Sequence, residues 1–500
     1  MIRITTFAGR RVAVFGLARS GLAAARSLLV GGAEVACWDD GARGRDAAAA
    51  EGLPLADLRE ADWIGFSALV LTPGVPLTHP EPHWTVKRAK SAGVEVIGDT
   101  ELFFRELATL GQTRPRVIGI TGTNGKSTTT ALTAHLLRHA GKRVAMGGNI
   151  GEAVLGLSPF AETDVYVLEL SSYQIDLTPG AACDVGILLN LSPDHLDRHG
   201  SMERYAEVKG RLVANAETAI VGLDDSLCWQ IAINRLERSN ERRTIGVHVA
   251  YDPTRASSFD PIKSAPHLLS PDLKRFRNLG GDLVVFTGAD WILRHDETIL
   301  PDDGDLLATL GGIDTLRGPH NGQNASAAYC ACESLGIDAK TLEEGLESYP
   351  GLAHRMEILG SIGACTYVND SKATNADSTA KALNSFAAGI HWILGGKSKD
   401  GGIESLEPYF HNVSHAYLIG DAAEQFAETL AKHPAITLHR CGTLARAVEE
   451  AAHTAGGRPA TVLLSPACAS FDQFKDFEDR GDQFRALVAK LPGFVPYGSV

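Results

Sequence analysis

The sequence predicts an α/β protein of three domains. Short apolar strands alternate with helical runs along the whole chain, and glycine-rich turns follow the first strand of each early stretch. The 500 residues, at about 150 per domain, make room for three cores. The first domain, 1–110, opens with the strand Val12–Phe15, a glycine turn and a helical run from Leu22 to Val30. Strands at Glu34–Trp38, Ala68–Leu71 and Val94–Ile97 follow, so this domain is expected to be Rossmann-like. GQTRP, residues 111–115, has the composition of a linker. The second domain, 111–350, begins with the strand Val117–Ile120, a glycine loop and a helical run from Ser127 to His139. Its further strands are Val165–Leu168, Val185–Leu189 and Ala219–Val221. Residues from 240 to about 300 are rich in charge, Pro and Asp, and are expected to form an irregular insertion on this domain. The third domain, 351–500, holds strands at Thr366–Asn369, His391–Leu394, Ala416–Ile419 and Val462–Leu464, each followed by loop and helix. It too is expected to be Rossmann-like.

Composition narrows the function. The chain is 44% hydrophobic and 21% charged, as in ordinary soluble globular proteins. A net charge of -13 argues against a sequence-independent grip on nucleic acid, which needs a basic face. No apolar run approaches the roughly 18 residues of a membrane span. MIRITTFAGRRVAVFG enters a strand too soon for a secretory signal. Eight scattered cysteines without a CxxC pair read as reduced thiols of a cytoplasmic protein.

The strongest signal is Gly122-Thr123-Asn124-Gly125-Lys126-Ser127-Thr128, followed by Thr129, directly after a strand. Glycines let successive backbone N–H groups face phosphate oxygens, and the following helix presents its positive end to the same anions. Lys126 adds a charge for the β- and γ-phosphates, and the Ser127 hydroxyl can ligate Mg²⁺. The residue five before Gly125 is Ile120 rather than glycine, so the loop is a compact relative of the usual phosphate loop. The central domain is accordingly expected to be of P-loop type and to bind ATP.

Beyond the loop, Glu169 closes the strand Val165–Leu168, where a carboxylate can reach a phosphate-bound metal. The loop Asn190-Leu191-Ser192-Pro193-Asp194-His195-Leu196-Asp197-Arg198-His199 offers a histidine and carboxylates for a second cation or for substrate. Lys209 lies on a helical run, and spacing alone gives it no role. The turn Gly16-Leu17-Ala18-Arg19-Ser20-Gly21 has two of the three glycines of a dinucleotide fingerprint. It is weak as dehydrogenase evidence, yet strand, tight turn and helix N-terminus still form a diphosphate cradle.

Taken together, these motifs resemble the Mur ligase family of ATP-dependent amide-forming enzymes of peptidoglycan precursor synthesis. TGTNGKST resembles the family's ATP loop, LELSS its magnesium glutamate and DHLDRH its metal-histidine loop. The resemblance makes Lys126, His195 and Lys209 catalytic, with Ser127, Glu169, His195 and Lys209 as metal ligands, the last as a carbamate. It implies ATP, two Mg²⁺ sites and a carbamylated lysine. GPHNGQNASAA supplies Asn321 and Asn324 for adenine. GLAHRME and NDSKATN supply His354, Arg355, Asp370, Lys372, Thr374 and Asn375 around ribose and phosphates. The run from Leu464 to Phe477 is similar to the branch that adds D-glutamate. By that similarity Lys372, Thr374, Lys399, Ser470 and Phe477 would hold the amino acid. The first domain would hold the UDP end of UDP-N-acetylmuramoyl-L-alanine through Arg19, Ser20, Asp39, Thr72 and Gly74. Asn149 and Gln174, with His195, would reach the sugar and peptide. The resemblance implies an acyl-phosphate route, a cytoplasmic location and a monomer, with no nucleic acid and no membrane span.

Overall fold

The computed structural model describes residues 1–238, 242–250, 271–287, 291–295, 305–386, 388–397 and 402–497. Three sheets organise the chain. In the first, β1 (Arg11–Phe15), β2 (Glu34–Trp38), β3 (Ala68–Leu71) and β4 (Glu95–Ile97) run parallel in the order β2-β1-β3-β4. Strands such as RVAVF and ALVL are buried on both faces, as a sheet layered between helices requires. Helix α1 (Arg19–Gly31) follows β1 and ends where Gly32 turns left-handed, at φ 92°.

The second sheet has nine strands. They are β5 (Arg116–Thr121), β6 (Val144–Gly148), β7 (Val165–Glu169), β8 (Val185–Leu188), β9 (Thr218–Gly222), β10 (Thr244–Ala250), β11 (Asp282–Thr287), β12 (Trp291–His295) and β13 (Asp305–Thr309). The spatial order is β13-β12-β11-β10-β9-β8-β5-β7-β6, parallel from β6 to β11 and antiparallel at β12 and β13. The chain leaves β5 toward β6 and later resumes on the other side at β8, so a crevice opens at the carboxyl end of β5. Helices α2 (Lys126–His139), α3 (Met202–Ala214), α4 (Ser226–Arg238) and α5 (Pro319–Ser334) belong to this part of the chain.

The stretch 240–300 corrects the expectation of an irregular insertion. Its described residues contribute β10, β11 and β12, and β10 pairs with β9 from Thr244↔Ala219 to Val247↔Gly222. Thr244–Val247 of TIGVHVA and Leu283–Val285 of DLVVFT are buried, and a helix, Pro271–Asn278, lies between the two strands; the Pro- and Asp-rich residues 251–270, which obscure the pattern, lie outside the described residues.

The third sheet contains β14 (Glu357–Ile362), β15 (Cys365–Asn369), β16 (Ile390–Gly395), β17 (Val413–Ile419), β18 (Thr437–Gly442), β19 (Ala460–Leu464) and β20 (Val495–Pro496). Its order is β18-β17-β16-β19-β15-β14-β20. β19 inserts between β15 and β16, which gathers the loops at their carboxyl ends. Helices α6 (Leu444–Ala455) and α7 (Phe477–Val488) cover one face, with Leu444, Ala447, Val448, Phe484 and Val488 in its core.

The chain forms two compact units. Met1–Gly311 with Asn321–Tyr349 carries the first two sheets, and Gly312–His320 with Pro350–Val500 carries the third. The first two sheets share one hydrophobic core, from Ile2, Leu28 and Phe103 to Tyr166, Ile175 and Leu212, which is why they do not separate. All eight cysteines are buried thiols.

Candidate active site

The loop after β5 is built by glycine geometry and by a loop from β8. Gly122 has φ 148° and Gly125 φ 85°, values that L side chains rarely adopt. A Cβ on Gly125 would also lie 2.3 Å from Asn324 Oδ1. The Thr123 amide donates to the Asn190 carbonyl at 2.8 Å, and the Asn124 amide to Asn190 Oδ1 at 2.9 Å. Thr123 Oγ1 lies 3.1 Å from the Tyr205 hydroxyl and accepts from the Ser192 amide at 3.0 Å. Lys126 Nζ donates to the carbonyls of Gly122 and Thr123 at 2.9 and 2.8 Å. Ser127, Thr128 and Thr129 are buried in the first turn of α2, whose N-terminus therefore faces the loop. With the Thr123 and Asn124 amides engaged by Asn190, the amides at the start of α2 and the Lys126 ammonium are the groups this loop has for an anion.

At the end of β7, Glu169 is 2% exposed. Its Oε1 accepts from Asn149 Nδ2 at 2.8 Å, while Oε2 is buried with no hydrogen-bond partner among the described residues. An orphaned carboxylate oxygen is costly unless a cation or donor meets it. Lys209 on α3 is equally buried, and its Nζ donates to Thr121 Oγ1 and the Gly122 carbonyl at 3.1 and 2.8 Å. Burial, and then the charge of Lys126, holds its ammonium well below the usual lysine range, while Asp194 and Glu169 pull the other way.

His195 adopts φ 54° at the head of the short helix Leu196–His199, and its Nε2 is 3.4 Å from Asp194 Oδ2. Burial depresses its pKa, Asp194 opposes that, and Lys209 and Lys126 add to it. The neutral imidazole is thereby favoured, the form that can ligate a metal. His199 is buried instead, bonded to Ser172 Oγ at 2.9 Å, with burial pushing its pKa down to about 4. Among the described residues no three His, Cys, Asp or Glu side chains form a metal cage. Glu169 and His195 can supply only part of a shell. That fits Mg²⁺, which keeps substrate phosphate oxygens and water in its shell.

The first sheet's glycine turn is fixed by packing. A Cβ on Gly16 would fall 1.8 Å from Thr72 Oγ1, and one on Gly21 1.8 Å from the Gly16 carbonyl oxygen. Asp39 holds the turn from below, accepting from the Leu17 amide at 2.6 Å and the Gly41 amide at 2.7 Å. Arg19 is exposed and donates to the Gly151 carbonyl, beside Asn149. Ser20 and Gly74 are partly or fully exposed at the same end of the sheet. Arg198 donates to the carbonyls of Pro73, Gly74 and Val75, tying the His195 loop to the loop after β3. Gln174 is buried, and its Oε1 accepts from the Ser171 amide in a capping box.

In the second unit, the loops after β15 and β19 meet around Arg480. This arginine is fully buried; Nε donates to Ser371 Oγ at 2.9 Å and Nη2 to the Ser371 and Cys468 carbonyls at 2.8 and 3.2 Å. Burial brings its pKa down to about 10. Asp370 accepts from Ser465 Oγ at 2.8 Å and from the Met356 amide at 3.2 Å, and burial pushes its carboxyl up to about 7. His354, at φ 62°, is 3.1 Å from Asn369 Nδ2 through Nδ1. Arg355 Nε is buried with no hydrogen-bond partner among the described residues. Lys372 Nζ lies 3.7 Å from the centre of the Phe477 ring, and the Thr374 amide donates to the Lys372 carbonyl at 2.8 Å. Ser470 is 2% exposed, and Asn375 caps the next helix through the Ser378 amide. Lys399 lies outside the described residues. Asn321 and Asn324, on α5 in the first unit, are buried; Asn324 Oδ1 accepts from Thr129 Oγ1 at 3.2 Å, so it supports the phosphate loop from behind.

A family profile described as the Mur ligase middle domain matches residues 120–260, and one described as the Mur ligase glutamate ligase domain matches residues 354–468. The UDP-N-acetylmuramoylalanine–D-glutamate ligase of Mesorhizobium japonicum is 50% identical over 501 residues, spanning 100% of this chain and 99% of its own. The chain belongs to the Mur ligase family. The protein of the same name from Agrobacterium fabrum is 51% identical, over 99% of this chain and 98% of its own. Among solved structures, the UDP-N-acetylmuramate–alanine ligase of Thermotoga maritima has a TM-score of 0.53 at 17% identity, covering 95% of this chain and 98% of its own. MurF of Acinetobacter baumannii has a TM-score of 0.52 at 16% identity, over 78% and 80%. These distant structures share the fold.

In this Mur ligase several site-building residues carry no sequence signal of their own. Tyr205 and Arg480 contact loops rather than marking motifs, whereas Asn190 and Arg198 stand at the two ends of the loop that the sequence singles out, in supporting roles it does not give them.

Proposed function

We propose that this Mur ligase joins D-glutamate to UDP-N-acetylmuramoyl-L-alanine at the expense of ATP, in peptidoglycan precursor synthesis. Full-length identity of about half to proteins of that name carries the reading. The loops after the first sheet, with Arg19, Ser20, Asp39, Thr72 and Gly74, receive the UDP end. The loop of residues 122–129 receives the ATP phosphates. The loops around Lys372, Thr374, Ser470 and Phe477 receive D-glutamate.

The alanyl carboxylate attacks the γ-phosphorus, ADP departs, and an acyl phosphate results. The D-glutamate amine then adds to the acyl carbon, and phosphate leaves as the amide forms. The first step brings two anions together, so positive charge must be fixed in advance. Lys126 and the N-terminus of α2 provide it from the protein. Ser127, Glu169, His195 and a carbamate on Lys209 would hold Mg²⁺, whose charge offsets the same repulsion. The orphaned Glu169 oxygen supports that assignment. The depressed Lys209 pKa supports the carbamate, because only a neutral amine adds CO₂. Without that addition the neutral Lys209 amine would offer the metal a nitrogen where Mg²⁺ prefers an oxygen ligand.

Phosphate release is the test. It should require ATP, Mg²⁺, UDP-N-acetylmuramoyl-L-alanine and D-glutamate together, with L-glutamate a poor substitute. Release from ATP alone would point to an NTPase switch and overturn the ligase reading. Equal use of both glutamate enantiomers would overturn the assignment of the amino-acid site.

A further inference from the structure

Helix α3 has two working faces. Tyr205 and Lys209 point into the catalytic crevice and are buried. Glu207 and Arg211 lie two positions on, about 200° around the helix, so they face the other way. On that outer side α3 and α4 enclose a groove of about 550 Å³. Its floor is apolar: Ala206, Gly210 and Ala214 from α3, Leu227 and Ile231 from α4. The helices pack closely at Gly210, where an added Cβ would lie 3.2 Å from Ile231 Cδ1.

One end of the groove is strongly basic, in a chain whose net charge is -13. Arg235, Arg238 and Arg242 line it together. Arg235 is 6% exposed, and its guanidinium is fully engaged by the carbonyls of Val213, Ala214, Ala216 and Glu217 and by Thr244 Oγ1. It is structural and leaves a positive charge in the wall. Arg238 and Arg242 are exposed and have no carboxylate partner among the described residues; Arg242 makes one long bond, 3.4 Å, to the Ala214 carbonyl. Glu207, by contrast, is already paired with Arg204 and Arg211. The groove is lined by more polar residues than the usual small-molecule pocket, and its apolar strip beside convergent charges suits a ligand that has both characters. Against the lining carboxylates Glu203 and Glu207 stand Arg211, Arg235, Arg238 and Arg242, so among the described residues the groove carries a positive excess that selects the sign of the ligand.

We propose that the α3–α4 groove is a binding site, separate from the substrate crevice, for a small amphipathic anion: a flat apolar body on the Gly210–Ile231 floor and an anionic head at Arg238 and Arg242. This holds whatever the ligase joins.

The probe is 1-anilinonaphthalene-8-sulfonate, which has both parts, titrated into the full-length enzyme and followed by its fluorescence. Saturable binding to one site is expected. Arg238→Glu with Arg242→Glu should weaken it at least tenfold, and Ile231→Arg should do the same by filling the floor. The charge-reversed enzyme should keep its ligation rate, since neither arginine touches substrate. Unchanged dye affinity in the double variant would overturn the proposal. So would displacement of the dye by ATP and UDP-N-acetylmuramoyl-L-alanine, which would place it in the crevice.

Discussion

Lys126 and Lys209 donate to the same carbonyl, that of Gly122, at 2.9 and 2.8 Å. Two ammonium groups on one acceptor repel, and this repulsion adds to burial in keeping Lys209 neutral. The proposed phosphate lysine and the proposed carbamate lysine are therefore chemically linked.

Lys126→Ala should lower kcat by about 10²–10³-fold or more, since it removes a positioned charge from the transferring phosphoryl group. The fold and Tm should be unchanged. Removing Lys126 should also raise the Lys209 pKa, so the carbamate carbon signal in ¹³C NMR with ¹³C-bicarbonate should appear only at higher pH. A rate near normal at saturating ATP would show that the phosphate loop is misassigned.

Lys209→Ala should be nearly inactive, and millimolar acetate should restore part of the rate by supplying the missing carboxylate oxygen. Intact mass of the active, metal-bound enzyme should carry the extra CO₂. A fully active alanine variant without additive would leave Lys209 as an ordinary buried lysine.

Arg480→Ala strips the donors from the buried Ser371 and Cys468 carbonyls, and each orphaned group costs about 1–3 kcal/mol. Urea unfolding should show the loss. Arg480→Lys, which keeps the charge but loses the fork, should raise KM for D-glutamate several-fold with little change in KM for ATP. Ser470→Ala and Lys372→Ala should share that KM signature. A Lys variant with equal changes in both constants would make Arg480 a purely structural residue.

Acid should loosen the third sheet. His391, His415 and His439 sit on neighbouring strands, His391 and His415 stacked at 4.5 Å and His415 bonded to His439 at 3.1 Å. Tyr417 bonds His391, Glu450 bonds His439, and Arg458 adds positive charge nearby. Burial, then the neighbouring imidazoles, pushes His391 down to about 4. Because its folded pKa lies below the unfolded value of about 6.5, the unfolded chain takes up the proton first. The stability is complete above pH 6.5 and declines as pH falls toward 4. Tm measured at pH 7.5 and 5.5 should show the fall, and His391→Gln should reduce the difference; identical slopes would remove His391 from the account.

The sequence reveals what glycine and strand ends determine. Gly122 and Gly125 announce a phosphate loop because only glycine holds those angles, and Glu169 is found at the end of β7 by its position. Long-range supports are invisible by the same logic. Asn324 stands 195 residues beyond Thr129 in sequence, yet it forms the back wall of the loop. Arg480, in FEDRGD, looks like a surface arginine until α7 buries it. β10 to β12 were hidden by the polar sequence around them, since a short apolar run is legible only when its borders are. Lys399 falls outside the described residues and gains no support from the structure.

The eight buried thiols have a practical consequence. Burial raises the pKa of several of them, Cys37 and Cys183 to about 12, so little thiolate is available for alkylation. A cysteine introduced at Ile64, which is 82% exposed, should therefore react alone with maleimide. The native chain is already a low-background host for a single fluorescent label, without removal of any natural cysteine.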